Sequence, residues 1–218
     1  FDMQPPTRNG IKISPETAMN NPKVRGAGWN VEIALPLREL ALNSTGGVMP
    51  SEGTFWRLGF SRVEWNVVED GGHYKKEPSC QSCAEPGAKA EDNWVWSPQG
   101  AVAMHLPERW GIVQFSEGAP GGTAPAHYPE WSARGAAMAV YYAQKAYAKD
   151  HGGAFAGSVD ELLGHAQAPF ELCGQATTKI VLGSENGNPT FVATVSPHGD
   201  EFEATIRNDR FLTVARQY

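Results

Sequence analysis

Three tryptophans carry most of the chemistry that can be read from this chain. Trp65, Trp94 and Trp96 do not fit the core phase of the strands around them, and Arg62, Glu64, Asn93 and Gln99 lie close by in the sequence. A sugar ring has an apolar C–H face and an equator of hydroxyls, so a site for it needs a flat aromatic platform with amide, carboxylate and guanidinium partners. This set supplies both kinds of group. Trp94 and Trp96 are also two apart on one strand, which leaves a second expectation open: rings that plug the end of a sandwich. Trp29, Trp56 and Trp110 sit at core phases, where packing accounts for them.

Other chemistry finds less support. A glycosidase needs two carboxylates set by spatial separation rather than sequence spacing, and Glu32 and Glu64 are candidates in principle. Glu32, however, falls on the polar phase of its strand, and Glu64 has Arg62 two positions away as an ion-pair partner. His73, His105, His127, His151, His165 and His198 never pair at ligand spacing. Phosphate-loop, nucleophile-elbow and zinc-protease motifs are absent. Cys80 and Cys83 form a C-x-x-C, with Cys173 far away. A local disulfide between Cys80 and Cys83 is the expectation, because zinc wants a second pair and Glu85-Pro86-Gly87 does not open the helix that a redox motif needs. Asn43-Ser44-Thr45 is a glycosylation acceptor in a Gly-rich turn. With the disulfide it leans the chain towards an extracellular or secretory-pathway location.

These residues must be held by strands. Residues 29–35 alternate large apolar with polar or small residues until Pro36. Residues 55–65 alternate again, one face running from Trp56, Leu58 and Phe60 into the charged pair Arg62 and Glu64, as in a strand leaving a core for a wet surface. Residues 66–92 read as a long loop with a turn at Glu69-Asp70-Gly71-Gly72. Residues 93–100 follow, then a closing strand over 109–115 and a Gly/Pro-rich linker over 117–131. From Ser132, taken as the cap, an Ala-rich helix runs to Gly152-Gly153. Ser158-Val159-Asp160-Glu161 is a capping box for a second short helix. Alternating segments at 179–182, 190–196, 202–207 and 211–215, separated by turn residues, predict an antiparallel meander.

The composition agrees. A chain of 218 residues predicts one domain plus a remainder, or two small ones. Hydrophobic residues at 41% and charged residues at 19% exclude a disordered charged tail. A net charge of −6 without a dense Lys/Arg cluster argues against nucleic acid and anionic lipid as partners. No stretch approaches the ~20 apolar residues of a membrane span, so a soluble chain is expected. Without an initiator Met or a signal-like apolar run, Phe1 is read as a processed end or an internal start.

A family resemblance rests on four blocks: Gly-Trp-x-Val-Glu-Ile-Ala-Leu-Pro at 28–36, Trp-Arg-Leu-Gly-Phe-Ser-Arg-Val-Glu-Trp at 56–65, Glu-Asp-Asn-Trp-Val-Trp-Ser-Pro-Gln-Gly at 91–100, and Met-His-Leu-Pro-Glu-Arg-Trp-Gly at 104–111. Residues 1–116 resemble the C-terminal half of carbohydrate-binding module family 9-like proteins. The resemblance implies a mainly β chain: an antiparallel β-sandwich of jelly-roll type over 1–116, left incomplete because the family's earlier strands have no counterpart after Phe1. A linker over 117–131 and a small α+β unit over 132–218 follow from the periodicity, and that unit has no counterpart in the family. The implied function is noncatalytic binding of a plant or cell-wall type oligosaccharide or polysaccharide, a sugar end being held between aromatic rings, with Trp94 or Trp96 as the stacking ring and Asn93, Arg62 and Glu64 as hydrogen-bonding partners. It implies no cofactor and allows a structural calcium ion. A missing N-terminal segment or a neighbouring subunit is expected to complete the sheet, since the face of Trp29, Val31, Ile33 and Leu35 needs cover. Two other readings stand beside this one: a structural or assembly subunit completed by a partner's strands, and a glycoside hydrolase.

Overall fold

The computed structural model describes residues 8–42, 44, 47–76, 91–100, 103–166 and 176–217. Asn43, Cys80, Cys83 and Cys173 lie outside them, and so do the glycosylation and disulfide expectations they carry. Among the described residues the chain is mainly β, with 38% strand and 22% helix. It divides into two compact units, one of Phe1–Pro98 with Val113–Thr123 and one of Gln99–Ile112 with Ala124–Tyr218. Residues 99–112 thus group with the C-terminal part.

In the first unit, β1 (Arg8–Ser14) pairs antiparallel with β2 (Gly28–Ala34). The register sets Ile11 opposite Val31 and Ile13 opposite Trp29, so one face of the ribbon is apolar while Lys12, Glu32 and Asn30 take the other. Trp29, expected in a core, is exposed, and so are Val31 and Ile33. The alternation is obeyed, but a two-stranded ribbon supplies no second layer to bury its own face. A short helix α1 (Leu37–Leu42) follows Pro36 and buries Ala41.

The alternation over 55–65 is not one strand. It breaks at Gly59-Phe60 into β3 (Phe55–Leu58) and β4 (Ser61–Trp65). The expected loop 66–92 contains a hairpin of β5 (Val67–Asp70) and β6 (His73–Lys76), closed by Gly71 and Gly72 with φ of +62° and +85°. Two positive φ values in a two-residue connection match the twist of the flanking strands, and Gly adopts them without a Cβ penalty. Val67, Val68 and Tyr74 are good strand formers, a signal the glycines and charges around them obscured. Then come β7 (Glu91–Val95) and β8 (Gly111–Gln114). The ladders are β1–β2, β3–β8, β4–β7 and β5–β6, and among the described residues of this unit none joins into a wider sheet. Trp56 packs edge-on against Phe115, ring centres 5.1 Å apart.

The second unit folds as the sequence predicts, a helix on four strands. Helix α2 (Trp131–Asp150) lies over β10 (Asn188–Pro197) and β11 (Phe202–Arg207), flanked by β9 (Ala176–Glu185) and β12 (Leu212–Arg216) in the order β12-β11-β10-β9. Ala133, Ala137 and Ala143 are fully buried against Phe191, Val195 and Ile206, small on the helix and large on the sheet. Ser132 is not the cap. Helix α2 starts at Trp131, with its cap, Glu130, two residues before Ser132 and forming an ion pair with Arg134 at 2.6 Å, and the Ser132 hydroxyl donates to Asp200. The C-terminal stop is as expected: Gly152 and Gly153 have positive φ, and the Gly153 amide donates to the Ala148 carbonyl at 2.8 Å. The capping box also forms before α3 (Val159–Leu162), the Ser158 amide donating to the Glu161 carboxylate at 2.9 Å. Fully buried Gln144 donates to the Ala156 carbonyl and accepts from its amide, so its burial leaves nothing unpaired. Among the described residues no helix is long and apolar enough to cross a membrane.

Candidate functional site

The β4–β7 ladder gathers the residues singled out from the sequence. Its register sets Arg62 opposite Trp94, Val63 opposite Asn93, Glu64 opposite Asp92 and Trp65 opposite Glu91. Directly opposed residues share a face, so Arg62, Glu64 and Trp94 lie on one side. The Trp96 amide donates to the Phe60 carbonyl at 3.1 Å, carrying the pairing one step further and adding Phe60 and Trp96 to that side. Asn93 and Trp65 hold the alternate register positions. Gln99 is 7% exposed and belongs to the other compact unit. Four of the predicted residues therefore share this side, Trp94, Trp96, Arg62 and Glu64.

Both rings are open to solvent, Trp94 at 59% and Trp96 at 48% exposure. Neither stands alone. The Trp96 indole N–H donates to the Leu58 carbonyl at 2.9 Å and its ring meets Phe60 edge-on at 5.9 Å. The Arg62 guanidinium lies 5.8 Å from the centre of the Trp94 ring and donates to Glu64 at 2.7 Å. The charge over Trp94 is thus balanced on the spot. Glu32 sits on the polar face of β2, away from any second carboxylate at its opposed position, Gly10.

Sequence reasoning missed a second cluster. Glu108, from a short 3₁₀ turn over Pro107–Arg109, is buried; it accepts from the Tyr142 hydroxyl at 2.5 Å and forms an ion pair with Arg210. Arg210 also donates to the Tyr142 oxygen at 3.2 Å. Burial first, and then the hydrogen bond to Glu108, push the Tyr142 phenol well above its ordinary value of 10.0. The three side chains satisfy one another, which is the pattern of a structural lock rather than of a reactive centre. Its one trace in the sequence was the Pro-Glu-Arg-Trp-Gly block; nothing local pairs Glu108 with a residue 102 positions away. Near the end of α2, Tyr147 and His151 stack at 3.7 Å, and His165 approaches Asp150 at 3.6 Å. No group of three or more His, Cys, Asp or Glu gathers at metal-binding geometry among the described residues.

Compared with known proteins, the chain matches no protein-family model, no curated protein and no solved structure.

Proposed function

We propose that this chain is a noncatalytic carbohydrate-binding protein acting outside the cell or in the secretory pathway, its ligand an oligosaccharide or polysaccharide of plant or cell-wall type. The observation that carries the reading is the pair of solvent-open rings, Trp94 and Trp96, on one face of the β4–β7 ladder with the Arg62–Glu64 pair beside them. Exposed indoles are costly unless something covers them, and the apolar face of a sugar is a flat partner of the right chemistry. The guanidinium and carboxylate next to the rings offer hydrogen bonds to hydroxyls. Titration of intrinsic Trp fluorescence with xylo- and cello-oligosaccharides tests it: a saturable change is expected in the intact chain and not in Trp94→Ala. Absence of any change at millimolar sugar would refute the reading.

A second reading, a structural or assembly subunit, is favoured by one separate observation. Ile11, Trp29, Val31 and Ile33 form an exposed apolar face on the β1–β2 ribbon, of the kind a strand or sheet from a further segment or a neighbouring subunit covers. The two readings are compatible, since they use different ladders.

A further inference from the structure

We infer that Arg210 is a positioning residue for the Trp96 ring: the Glu108–Tyr142–Arg210 cluster clasps the turn before β8, and β8 holds the strand whose last carbonyl fixes that ring. Only the use of the ring for sugar rests on the carbohydrate reading above; where the ring sits is a matter of the fold. The route is short, and each step is a covalent neighbour or a hydrogen bond. Glu108 lies three residues before Gly111, where β8 begins. Strand β8 pairs with β3, β3 ends at Leu58, and the Leu58 carbonyl accepts the Trp96 indole N–H at 2.9 Å. Just past β8 the Phe115 amide donates to the Thr54 carbonyl at 2.9 Å, which carries the pairing on. On the other side of Trp96 the chain reaches buried Gln99 after three residues.

The cluster is built to hold. A carboxylate is costly to bury unless it is paired, and Glu108, its side chain 8% exposed, has both the Arg210 guanidinium and the Tyr142 hydroxyl. Arg210 reaches it from a backbone φ of +69°, a left-handed conformation that a residue with a side chain adopts only when its surroundings impose it. Those surroundings are present. The Arg210 amide donates to the Arg207 carbonyl at 2.9 Å, and the Asn208 amide ties the same turn to the Phe191 carbonyl in the sheet at 3.2 Å. The turn that carries Glu108 is equally fixed, the Trp110 indole N–H donating to the Met104 carbonyl at 2.8 Å and the Arg109 amide to the Leu106 carbonyl at 2.8 Å. Among the described residues, none of 103–112 belongs to the hydrophobic core of the α+β unit or packs on it as a partly buried apolar side chain, which puts the weight of the attachment on the clasp. A rigid turn pinned at Glu108 passes its position to Gly111, and so to β8.

The test follows the Trp96 indole N–H by nitrogen-15 NMR of the whole chain, its resonance assigned by its absence from Trp96→Phe. Arg210→Ala is expected to shift this resonance and to speed its exchange with solvent about tenfold, the scale of one charge-assisted hydrogen bond lost. The same variant should bind a xylo- or cello-hexasaccharide about fivefold more weakly, because a ring no longer held in advance must be ordered by the ligand. Arg210→Lys, which keeps the charge, should recover most of both effects. Ser158→Ala weakens the same unit through a helix cap whose bonds run to Glu161 and not to the clasp, and should leave the resonance where it is. An indole signal unchanged in Arg210→Ala, or one that moves as far in Ser158→Ala, would overturn the inference, since the cluster would then stabilise its own unit and nothing more. Should Arg210→Ala fail to fold, Glu108→Gln, which keeps the shape and removes the charge, is read against the same control. A parent chain that binds no hexasaccharide would remove the carbohydrate reading, while the indole measurement, which needs no sugar, would still decide whether Arg210 positions Trp96.

Discussion

Glu108 shows at the scale of one residue why part of this molecule was hidden from the sequence. Its partners Tyr142 and Arg210 come from a helix and from the turn between two strands, and no periodicity links positions so far apart. Arg62 and Glu64 were legible for the opposite reason: two residues apart on one strand, they share a face whatever the fold. Arg210→Ala leaves the Glu108 carboxylate buried with the Tyr142 hydroxyl alone, and is expected to lower unfolding stability by about 1–3 kcal/mol in urea denaturation. An unchanged midpoint would show that solvent replaces the guanidinium. Tyr142 carries a pH dependence of known sign. Its phenol is held protonated in the folded state, so its contribution is complete below pH 10.0 and is lost as the pH rises above that value. Tyr142→Phe should therefore flatten the fall in melting temperature above about pH 10 while lowering stability below it. A variant that falls as steeply as the parent would assign the alkaline loss to other groups.

Secondary-structure elements were legible where turn chemistry and period agreed. The four-stranded meander and both helices of the second unit follow from Asn186-Gly187, Asn208-Asp209, Gly152-Gly153 and the Ser158–Glu161 box. The split at Gly59-Phe60 was not legible, since β3 and β4 keep one alternation while changing partners, and partner choice is a tertiary fact. Ser132 was misassigned because a Ser before an Ala-rich run resembles a cap, whereas Glu130 holds the cap position and pairs with Arg134. The true cap at Ser158 gives a clean test. Ser158→Ala should cost about 1 kcal/mol of unit stability, read as a lower thermal midpoint. Glu161 is held below its ordinary value of 4.5, chiefly by the Ser158 hydroxyl that donates to it. Its contribution is therefore complete above pH 4.5 and fades as the pH falls through its lower folded value. Amide protection over α3, taken relative to the intrinsic exchange rate at each pH, should fall on acidification in the parent and much less so in Glu161→Gln.

At the scale of the whole chain the two units differ in how they meet the hydrophobic effect. The α+β unit buries Phe191, Leu162, Ile206 and Val195 completely, enough large apolar side chains for a core of its own. The first unit leaves Ile11, Trp29 and Ile33 exposed on its ribbon and both site indoles open on another ladder. The alternation that made its strands legible says which residues share a face and is silent on what the face packs against. Light scattering of the purified chain at low micromolar concentration should report more than one copy if a second copy covers the β1–β2 face, and Ile11→Lys with Ile33→Lys should then return it to a 23.6 kDa monomer. A monomeric parent would leave a further segment or a different subunit as the cover.

The central claim, that Trp94 and Trp96 form a sugar platform, is tested most directly by measuring hexasaccharide affinity for the unaltered chain and for Trp94→Ala under the same conditions. Loss of a stacking ring costs about 1–3 kcal/mol by analogy with base stacking, so the variant should bind about tenfold more weakly or worse while keeping its near-UV dichroism and melting temperature. A variant that binds as tightly as the parent, or one that loses its tertiary dichroism and melts early because the ring was holding the ladder together, would contradict the account.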